Sequence, residues 1–143
     1  MLTTKIFNYL QVLILSFLIQ NGAYAITSSD EEEIISVVNA QLQAFQDDDF
    51  EKAYSYASPT IKTIFSDYKK FRDMVVGQYQ AVYRPKSINI GSVSTEGGVP
   101  FLEVYLVDPD GIFVTAIYSM QQQENGSWLI NGCFLSQAQS DQI

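Results

Sequence analysis

The sequence contains no histidine among its 143 residues. Histidine is the side chain that most often transfers protons in catalysis and most often binds metals, because its pKa lies near neutral pH. Its absence excludes catalytic triads built on histidine and the common histidine-based zinc sites. Acid-base chemistry in this protein would therefore need a carboxylate as the base.

Cysteine is nearly absent too, since Cys133 stands alone. The chain cannot form an internal disulfide, so its fold must be held together by packing. A single cysteine could be a reactive thiol or could bridge two chains. Its apolar neighbours Leu129, Phe134 and Leu135 favour a third interpretation, a small buried side chain, because free cysteine is among the most buried residue types.

Basic residues are few: 8 lysines and arginines stand against 16 aspartates and glutamates, and the formal net charge is −8. Such a surface repels the phosphates of nucleic acids and of anionic lipids. We therefore expect no nucleic-acid partner, and no membrane association once the N-terminal segment has been removed.

Residues 1–25 have the pattern of a secretion signal. Lys5 supplies a positive charge, residues 6–19 form a short apolar run, and Ala23-Tyr24-Ala25 is a small-residue cleavage motif. We expect cleavage after Ala25 and export to the periplasm or to the exterior. The alternative is a retained membrane anchor, but the apolar run is short for a bilayer span.

The rest of the chain, 26–143, is long enough for one domain and begins with helical patterning. Ser28 with Glu31 and Ser29 with Glu32 form two overlapping capping boxes. Apolar residues then recur at helical spacing. Three further helices are expected where a capping residue precedes an apolar stripe, after the aspartates 47–49, after Ser58 and after Asp67.

The three aspartates at 47–49 also resemble part of a cation site. No glycine and glutamate follow them at the spacing that a calcium-binding loop requires. We interpret them as helix caps and expect neither a metal nor a cofactor.

After Arg84-Pro85, where proline prevents a further helix, the pattern changes to strands. Four runs of strand-forming residues occupy 86–95, 101–107, 112–122 and 127–135, with turn-forming residues between them. Short turns make neighbouring strands antiparallel. Helices followed by such a meander predict an α+β fold, in which the N-terminal helices pack on one side of a bent antiparallel sheet.

The last strand carries apolar side chains in both parities. Trp128, Ile130 and Phe134 share one parity, and Leu129, Cys133 and Leu135 share the other. We predict that this strand is buried on both faces. In the strand before it, the parity of Ile112, Val114, Ala116, Tyr118 and Met120 is the more apolar and is expected to face the helices. The helices cannot cover the second face, so we predict a homodimer through the sheet.

Four segments of the chain look familiar: AFQDDD (44–49), AYSYASP (53–59), YQAVYRP (79–85) and GSWLINGC (126–133). Together they resemble an uncharacterised bacterial family, domain-of-unknown-function family 4864, within the nuclear transport factor 2-like (SnoaL-like, cystatin-like) superfamily. The resemblance implies a strongly curved sheet wrapped around the helices as a cone. It also implies a cavity at the wide end of the cone and dimers formed through the sheet.

That superfamily includes ketosteroid isomerases, dehydratases and polyketide cyclases, and also members that only bind or only assemble. The fold alone does not choose among them. An isomerase-like or cyclase-like enzyme would need a carboxylate base in an apolar pocket. Glu103 is the one acid inside a predicted strand, but an exposed position suits an unpaired carboxylate better.

A binding domain needs only a cavity with suitable walls. The candidate ligand-binding residues are Tyr79, Tyr83, Arg84, Tyr118 and Asn131. The tyrosines can line a cavity and offer hydroxyls, although simple core packing explains them as well. Asn131 lies in an apolar strand, so its amide must find partners in a ligand or in the backbone.

Arg84 follows the last predicted helix, near the mouth of the cone in related folds. There its guanidinium could pair with the carboxylate of a ligand, or with an acid of the protein such as Asp108. We therefore rank three functions. First comes a non-catalytic domain that binds a small apolar or carboxylate-bearing molecule, or assembles as a homodimer. An isomerase- or cyclase-like enzyme is second, and a purely structural dimer is third.

Overall fold

A computed structural model describes residues 25–137. Within them, helices precede strands: α1 (Ser28–Gln46), α2 (Phe50–Ser55), α3 (Pro59–Ile64), α4 (Tyr68–Gln78), α5 (Gln80–Tyr83), β1 (Ser87–Glu96), β2 (Val99–Val107), β3 (Phe113–Gln122) and β4 (Trp128–Gln137). The predicted leader, apart from its last residue, lies outside the described residues, so its cleavage stays a prediction. No helix in the described part of the chain is both long and apolar enough to cross a bilayer.

Helix α1 begins with a capping box one residue earlier than expected. Its cap is Thr27, whose hydroxyl accepts a hydrogen bond from the backbone N–H of Asp30, while the Asp30 carboxylate accepts one from the N–H of Thr27. The predicted boxes at Ser28 and Ser29 are therefore wrong. Asp30 has a second role that selects this register, because its carboxylate also accepts a hydrogen bond from the indole N–H of Trp128 at 3.0 Å.

The other helix starts are confirmed. Asp49, Ser58 and Asp67 each accept hydrogen bonds from backbone N–H groups in the first turn of α2, α3 and α4, respectively. Proline at the first position of α3 fits this rule, since no intrahelical partner exists for an N–H there. These three caps begin three helices within about twenty residues. The short helices pack on one face of the sheet.

The four strands form one antiparallel sheet in the order β1-β2-β3-β4, so each strand pairs with its neighbour in sequence. The α+β architecture predicted from the sequence is confirmed. The parity of β3 is confirmed from Val114 onward, since Val114, Ala116, Tyr118 and Met120 are buried. The prediction was wrong for Ile112, which lies before the strand and is 43% exposed. They pack with the inward residues of β2 and with the apolar stripe of α1 in one core.

Strand β4 departs from the prediction because it contains a β-bulge. Ile130 pairs with Met120 and Gly132 pairs with Ser119, so Asn131 is an extra residue without a partner in the ladder. Side-chain parity therefore reverses after Asn131. Trp128 and Ile130 face the core before the bulge, and Cys133 and Leu135 face it afterwards.

The predicted grouping of Phe134 with Trp128 and Ile130 is consequently wrong. Phe134 pairs with Ile117 on the outer face of the sheet, and 65% of its surface is exposed. The strand is thus buried on one face within the chain. An apolar surface remains on the other face.

Candidate functional site

An apolar cavity of about 290 Å³ lies between the helices and the inner face of β3 and β4. Aromatic rings form much of its wall: Phe71 packs against Phe45 and Phe65, with ring centroids 6.1 Å apart in both pairs. The sheet closes the opposite side with Tyr118, Ile130 and Cys133. The cavity therefore lies where the helices cover the sheet without filling the space between the two layers.

Local structure determines which polar atoms reach this cavity. Tyr118 comes from the inward parity of β3, and Cys133 faces inward because of the bulge at Asn131. Tyr79 lies at the end of α4, and its hydroxyl donates a hydrogen bond to the carbonyl oxygen of Cys133 at 3.2 Å. Gln41 projects from α1 and donates from its amide to the carbonyl oxygen of Ala53 at 3.1 Å.

The hydroxyl of Tyr118 is the least well satisfied of these groups. Tyr118 is only 1% exposed, and among the described residues its hydroxyl is the fully buried side-chain oxygen or nitrogen that lacks a hydrogen bond of standard geometry. The thiol of Cys133 is its polar neighbour, and a weak hydrogen-bond interaction between the two groups affects the pKa of both. Protein atoms enclose the hydroxyl, so it does not open onto the cavity.

Both polar groups at the inner wall are uncharged at neutral pH. Burial raises the pKa of the Tyr118 hydroxyl well above its ordinary value of 10.0. Burial likewise raises the pKa of the Cys133 thiol to about 12, although the residue as a whole is only partly buried. A thiol with so high a pKa is a poor nucleophile. No aspartate, glutamate, lysine or arginine lines the cavity within residues 25–137, so the site is electrically neutral.

Of the five candidate residues, the structure brings Tyr79 and Tyr118 together at the cavity. Tyr83 and Arg84 lie elsewhere, at the turn between α1 and α2. The guanidinium of Arg84 donates to the Asp48 carboxylate at 2.7 Å and to the carbonyl oxygen of Phe45 at 2.8 Å. It also stacks over the Tyr83 ring, 4.0 Å from its centroid.

Tyr83 completes this group by donating its hydroxyl to Asp48 at 2.6 Å. That hydrogen bond, followed by the hydrogen bond and charge of Arg84, lowers the pKa of Asp48. The acid that pairs with Arg84 is thus Asp48 rather than the expected Asp108, whose carboxylate accepts two backbone N–H groups of its own turn. The pair joins the end of α1 to the end of α5.

Asn131 also lies outside the cavity wall. Its side-chain oxygen accepts a hydrogen bond at 2.8 Å from the hydroxyl of Ser58, which is buried. Next to it, the N–H of Ser58 donates to the carbonyl oxygen of Ile130. The side-chain amide of Asn131 therefore connects the bulge of β4 to the start of α3 through a hydrogen bond.

Several residues of the cavity wall were not expected there. Phe45, Phe71 and Val75 fit the apolar stripes of their helices, and Cys133 fits a small buried residue. Periodicity identifies such residues as inward-facing, but it does not distinguish a filled core from the wall of a cavity. The bulge that directs Cys133 inward could have been suspected from Asn131-Gly132, because glycine within a strand often marks a bulge.

Glu103, the acid considered as a catalytic base, lies on the outer face of β2. Its carboxylate accepts a hydrogen bond from the Tyr105 hydroxyl at 2.7 Å. It pairs across the ladder with Ile117, which faces away from the cavity. The side chain is therefore separated from the cavity by the sheet.

Comparisons with known proteins place the chain in a family. Residues 27–143 match the model of a domain of unknown function, DUF4864. The chain belongs to this family. The family carries no assigned activity, so membership supports the resemblance seen in the sequence but does not assign a reaction.

One similar solved structure is that of an NTF2-like protein of unknown function from Burkholderia xenovorans LB400. The two chains share 14% sequence identity, with 75% of this chain and 85% of the other covered and a TM-score of 0.48. A search of curated proteins finds no match.

The position of Arg84 leads to a prediction about stability. We expect Arg84→Ala to lower the melting temperature by several degrees, because the carbonyl of Phe45 and the carboxylate of Asp48 lose a charged donor. Since the pKa of Asp48 is lowered, the contribution of Asp48 is present at neutral pH and is lost as the pH falls through its folded pKa, below 3.8. At pH values below 3.8, the difference in melting temperature between the wild type and Arg84→Ala should become smaller.

Arg72→Ala is the matched control. Its side chain is 42% exposed against 39% for Arg84, and its ion pair joins adjacent residues of one helix. The melting temperature of the Arg72→Ala variant should therefore stay near that of the wild type. Equal melting temperatures for Arg84→Ala and Arg72→Ala would contradict a structural role for Arg84. If Arg84→Ala lost ligand affinity without losing stability, Arg84 would be a binding residue instead.

Proposed function

We propose that this protein is an exported domain that binds a small, mainly apolar molecule in the cavity beneath its sheet, without converting it chemically. The leader at 1–25 would direct it to the periplasm or the exterior. The observation that carries the proposal is the uncharged, mainly apolar cavity of about 290 Å³ between the helices and the sheet.

Packing energetics support this proposal. Protein interiors are as dense as organic crystals and contain few voids larger than a water molecule. A cavity of about 290 Å³ deprives its apolar wall of dispersion contacts. A ligand would restore these contacts.

The enzymatic alternative receives less support from the same site. An isomerase-like mechanism needs a carboxylate base beside the bound substrate. In the described residues, no carboxylate lines the cavity, and Glu103 faces the opposite side of the sheet. Tyr118 and Cys133 keep their protons at neutral pH, so neither can serve as the base.

A substitution at the edge of the cavity tests binding. Ile61 lines the cavity and is half-buried, so the larger side chain in Ile61→Trp has room to occupy the cavity. We expect this variant to bind isopropylbenzene at least tenfold more weakly than the wild type, in titrations followed by ¹H–¹⁵N NMR. In the wild type, saturable shifts should centre on Tyr118 and Cys133.

Ile64→Trp provides the control on the same helix. Ile64 is 65% exposed and does not line the cavity, so this variant should bind isopropylbenzene like the wild type. Circular dichroism melts establish that all three proteins are folded. Saturable binding that is equal in wild type and Ile61→Trp, or no binding by the wild type, would refute the proposal.

We further propose that two copies assemble through the outer face of the sheet. Phe113, Ile117 and Phe134 from β3 and β4, with Phe101 and Tyr105 from β2, form an apolar surface there. The four strands contain no lysine or arginine and only two acids, Glu96 and Glu103. In a chain of net charge −8, a face with so little charge is where two copies can approach without strong repulsion.

The mass in solution tests this assembly. We expect the wild type to scatter light as a dimer at micromolar concentration and Phe134→Glu to scatter as a monomer, because the variant puts two like charges into the interface. Ile64→Glu changes an equally exposed apolar residue on the helical side and should remain a dimer. A monomeric wild type, or dissociation by both substitutions, would contradict the assignment of this face.

A further inference from the structure

We infer that the cavity selects an uncharged, mainly apolar molecule that carries one hydrogen-bond-donating group, and that the side-chain oxygen of Gln41 accepts the hydrogen bond from that group. This ligand class rests on the proposed binding function and adds the chemistry that the ligand must have. Its basis is one buried amide in the cavity wall, compared with the other polar side chains that line the same space.

Gln41 supplies a buried amide to the wall of the cavity. It lies on the inner side of α1, and only 4% of its surface is exposed. Its amide nitrogen donates a hydrogen bond at 3.1 Å to the carbonyl oxygen of Ala53. That bond determines which way the amide points, because the NH₂ group alone can donate. The oxygen of Gln41 is left for another partner, and no described residue donates to it.

The oxygen of Gln41 is open where the hydroxyl of Tyr118 is closed. Among residues 25–137, the Tyr118 hydroxyl is the side-chain polar atom that is both without a standard hydrogen bond and fully enclosed by protein. The Gln41 oxygen also lacks a hydrogen bond, but it is not fully enclosed. Because Gln41 is otherwise buried and lines the cavity, the space next to this oxygen is the cavity itself.

The other polar side chains of the wall do not require a ligand. The Tyr79 hydroxyl donates to the carbonyl oxygen of Cys133, and the Cys133 thiol is a weak partner that lies beside Tyr118. Gln78 is the last residue of α4 and is exposed. Its amide can bond to water whether or not the cavity is filled, so it adds little to the choice of ligand.

The ligand carries a donor because the Gln41 oxygen needs a partner when the cavity is filled. The cavity reaches solvent, since Gln78 in its wall is exposed, and water can donate to an acceptor in such a space. A hydrocarbon or a ketone that displaces water leaves the buried acceptor unpaired, which is unfavourable. A hydroxyl or an amide N–H group replaces the lost hydrogen bond.

The ligand is uncharged because none of the described residues that line the cavity is ionised at neutral pH. A charged group moved from water into such surroundings is strongly disfavoured unless it is paired. The volume limits its size as well. An apolar cavity of about 150 Å³ in another protein holds one benzene molecule, so the present cavity of about 290 Å³ has room for a substituted ring.

Four probes with the same number of non-hydrogen atoms test this ligand class: 1-phenylethanol, acetophenone, isopropylbenzene and benzoate. The first donates a hydrogen bond, the second only accepts, the third does neither, and the fourth is charged. We expect 1-phenylethanol to bind about fivefold more tightly than acetophenone, the ratio that one neutral hydrogen bond supports. Benzoate should bind at least tenfold more weakly than 1-phenylethanol.

Two glutamine variants identify the group responsible. Gln41→Met keeps an unbranched side chain but removes the amide, so the preference for 1-phenylethanol over acetophenone should disappear. In Gln78→Met, the matched control in the same wall, the preference should persist. Circular dichroism melts monitor folding, because the carbonyl oxygen of Ala53 loses its donor in Gln41→Met.

NMR of the wild type gives a second measurement that does not depend on a variant. The side-chain amide signals of Gln41 should shift more with 1-phenylethanol than with acetophenone, because the alcohol alone donates to the amide oxygen. The side-chain amide signals of Gln78 should not distinguish the two probes. Equal shifts of the Gln41 signals with both probes would contradict the assignment.

The outcomes separate the role of Gln41 from the proposed function. Equal affinities for 1-phenylethanol and acetophenone, a preference that survives in folded Gln41→Met, or a preference lost in Gln78→Met would overturn the role of Gln41. Saturable binding of isopropylbenzene would still support a binding cavity in each of these cases. Tightest binding of benzoate would overturn the uncharged ligand class. No binding of any probe would overturn the ligand class together with the proposed function.

Discussion

The fold and both of its candidate surfaces depend on one extra residue in β4. Asn131 has no partner in the β3–β4 ladder, and its side chain is held by the buried hydroxyl of Ser58. Because the bulge reverses parity, Cys133 turns toward the cavity and Phe134 turns toward the outer face. Without it, Phe134 would point into the space beneath the sheet, and the outer face would lose one of its largest apolar side chains. The cavity and the apolar outer face therefore have a common structural origin.

Charged side chains make their contacts at the periphery of the fold, and the space between the helices and the sheet contains no charged group among the described residues. Asp30 joins the start of α1 to Trp128 on β4, and Arg84 with Asp48 joins the end of the same helix to the end of α5. Both carboxylates are hydrogen-bonded, and their pKa values are lowered for that reason. With charges placed at the helix ends, the space between helices and sheet is lined by apolar and uncharged polar groups. Such a lining suits a neutral, mainly apolar molecule better than an ionic one.

The sequence predicted the local features of this structure well. Caps such as Asp49, Ser58 and Asp67 depend on the few residues that follow them, and the inward parity of β3 depends on simple alternation. Features that depend on distant residues were missed or incomplete. The partner of Arg84 lies 36 residues away at Asp48, and the bulge is fixed by Ser58, 73 residues away. Whether an inward aromatic fills a core or lines a cavity is decided by the curvature of the whole sheet, which no short pattern encodes.

A crystal structure of the protein at high resolution, purified without added ligand, tests the central claim most directly. We predict an open cavity with electron density for a bound molecule in contact with Phe65, Phe71 and Cys133. A cavity filled by the protein's own side chains would contradict this prediction. In that case the function would have to lie on the outer surface of the protein.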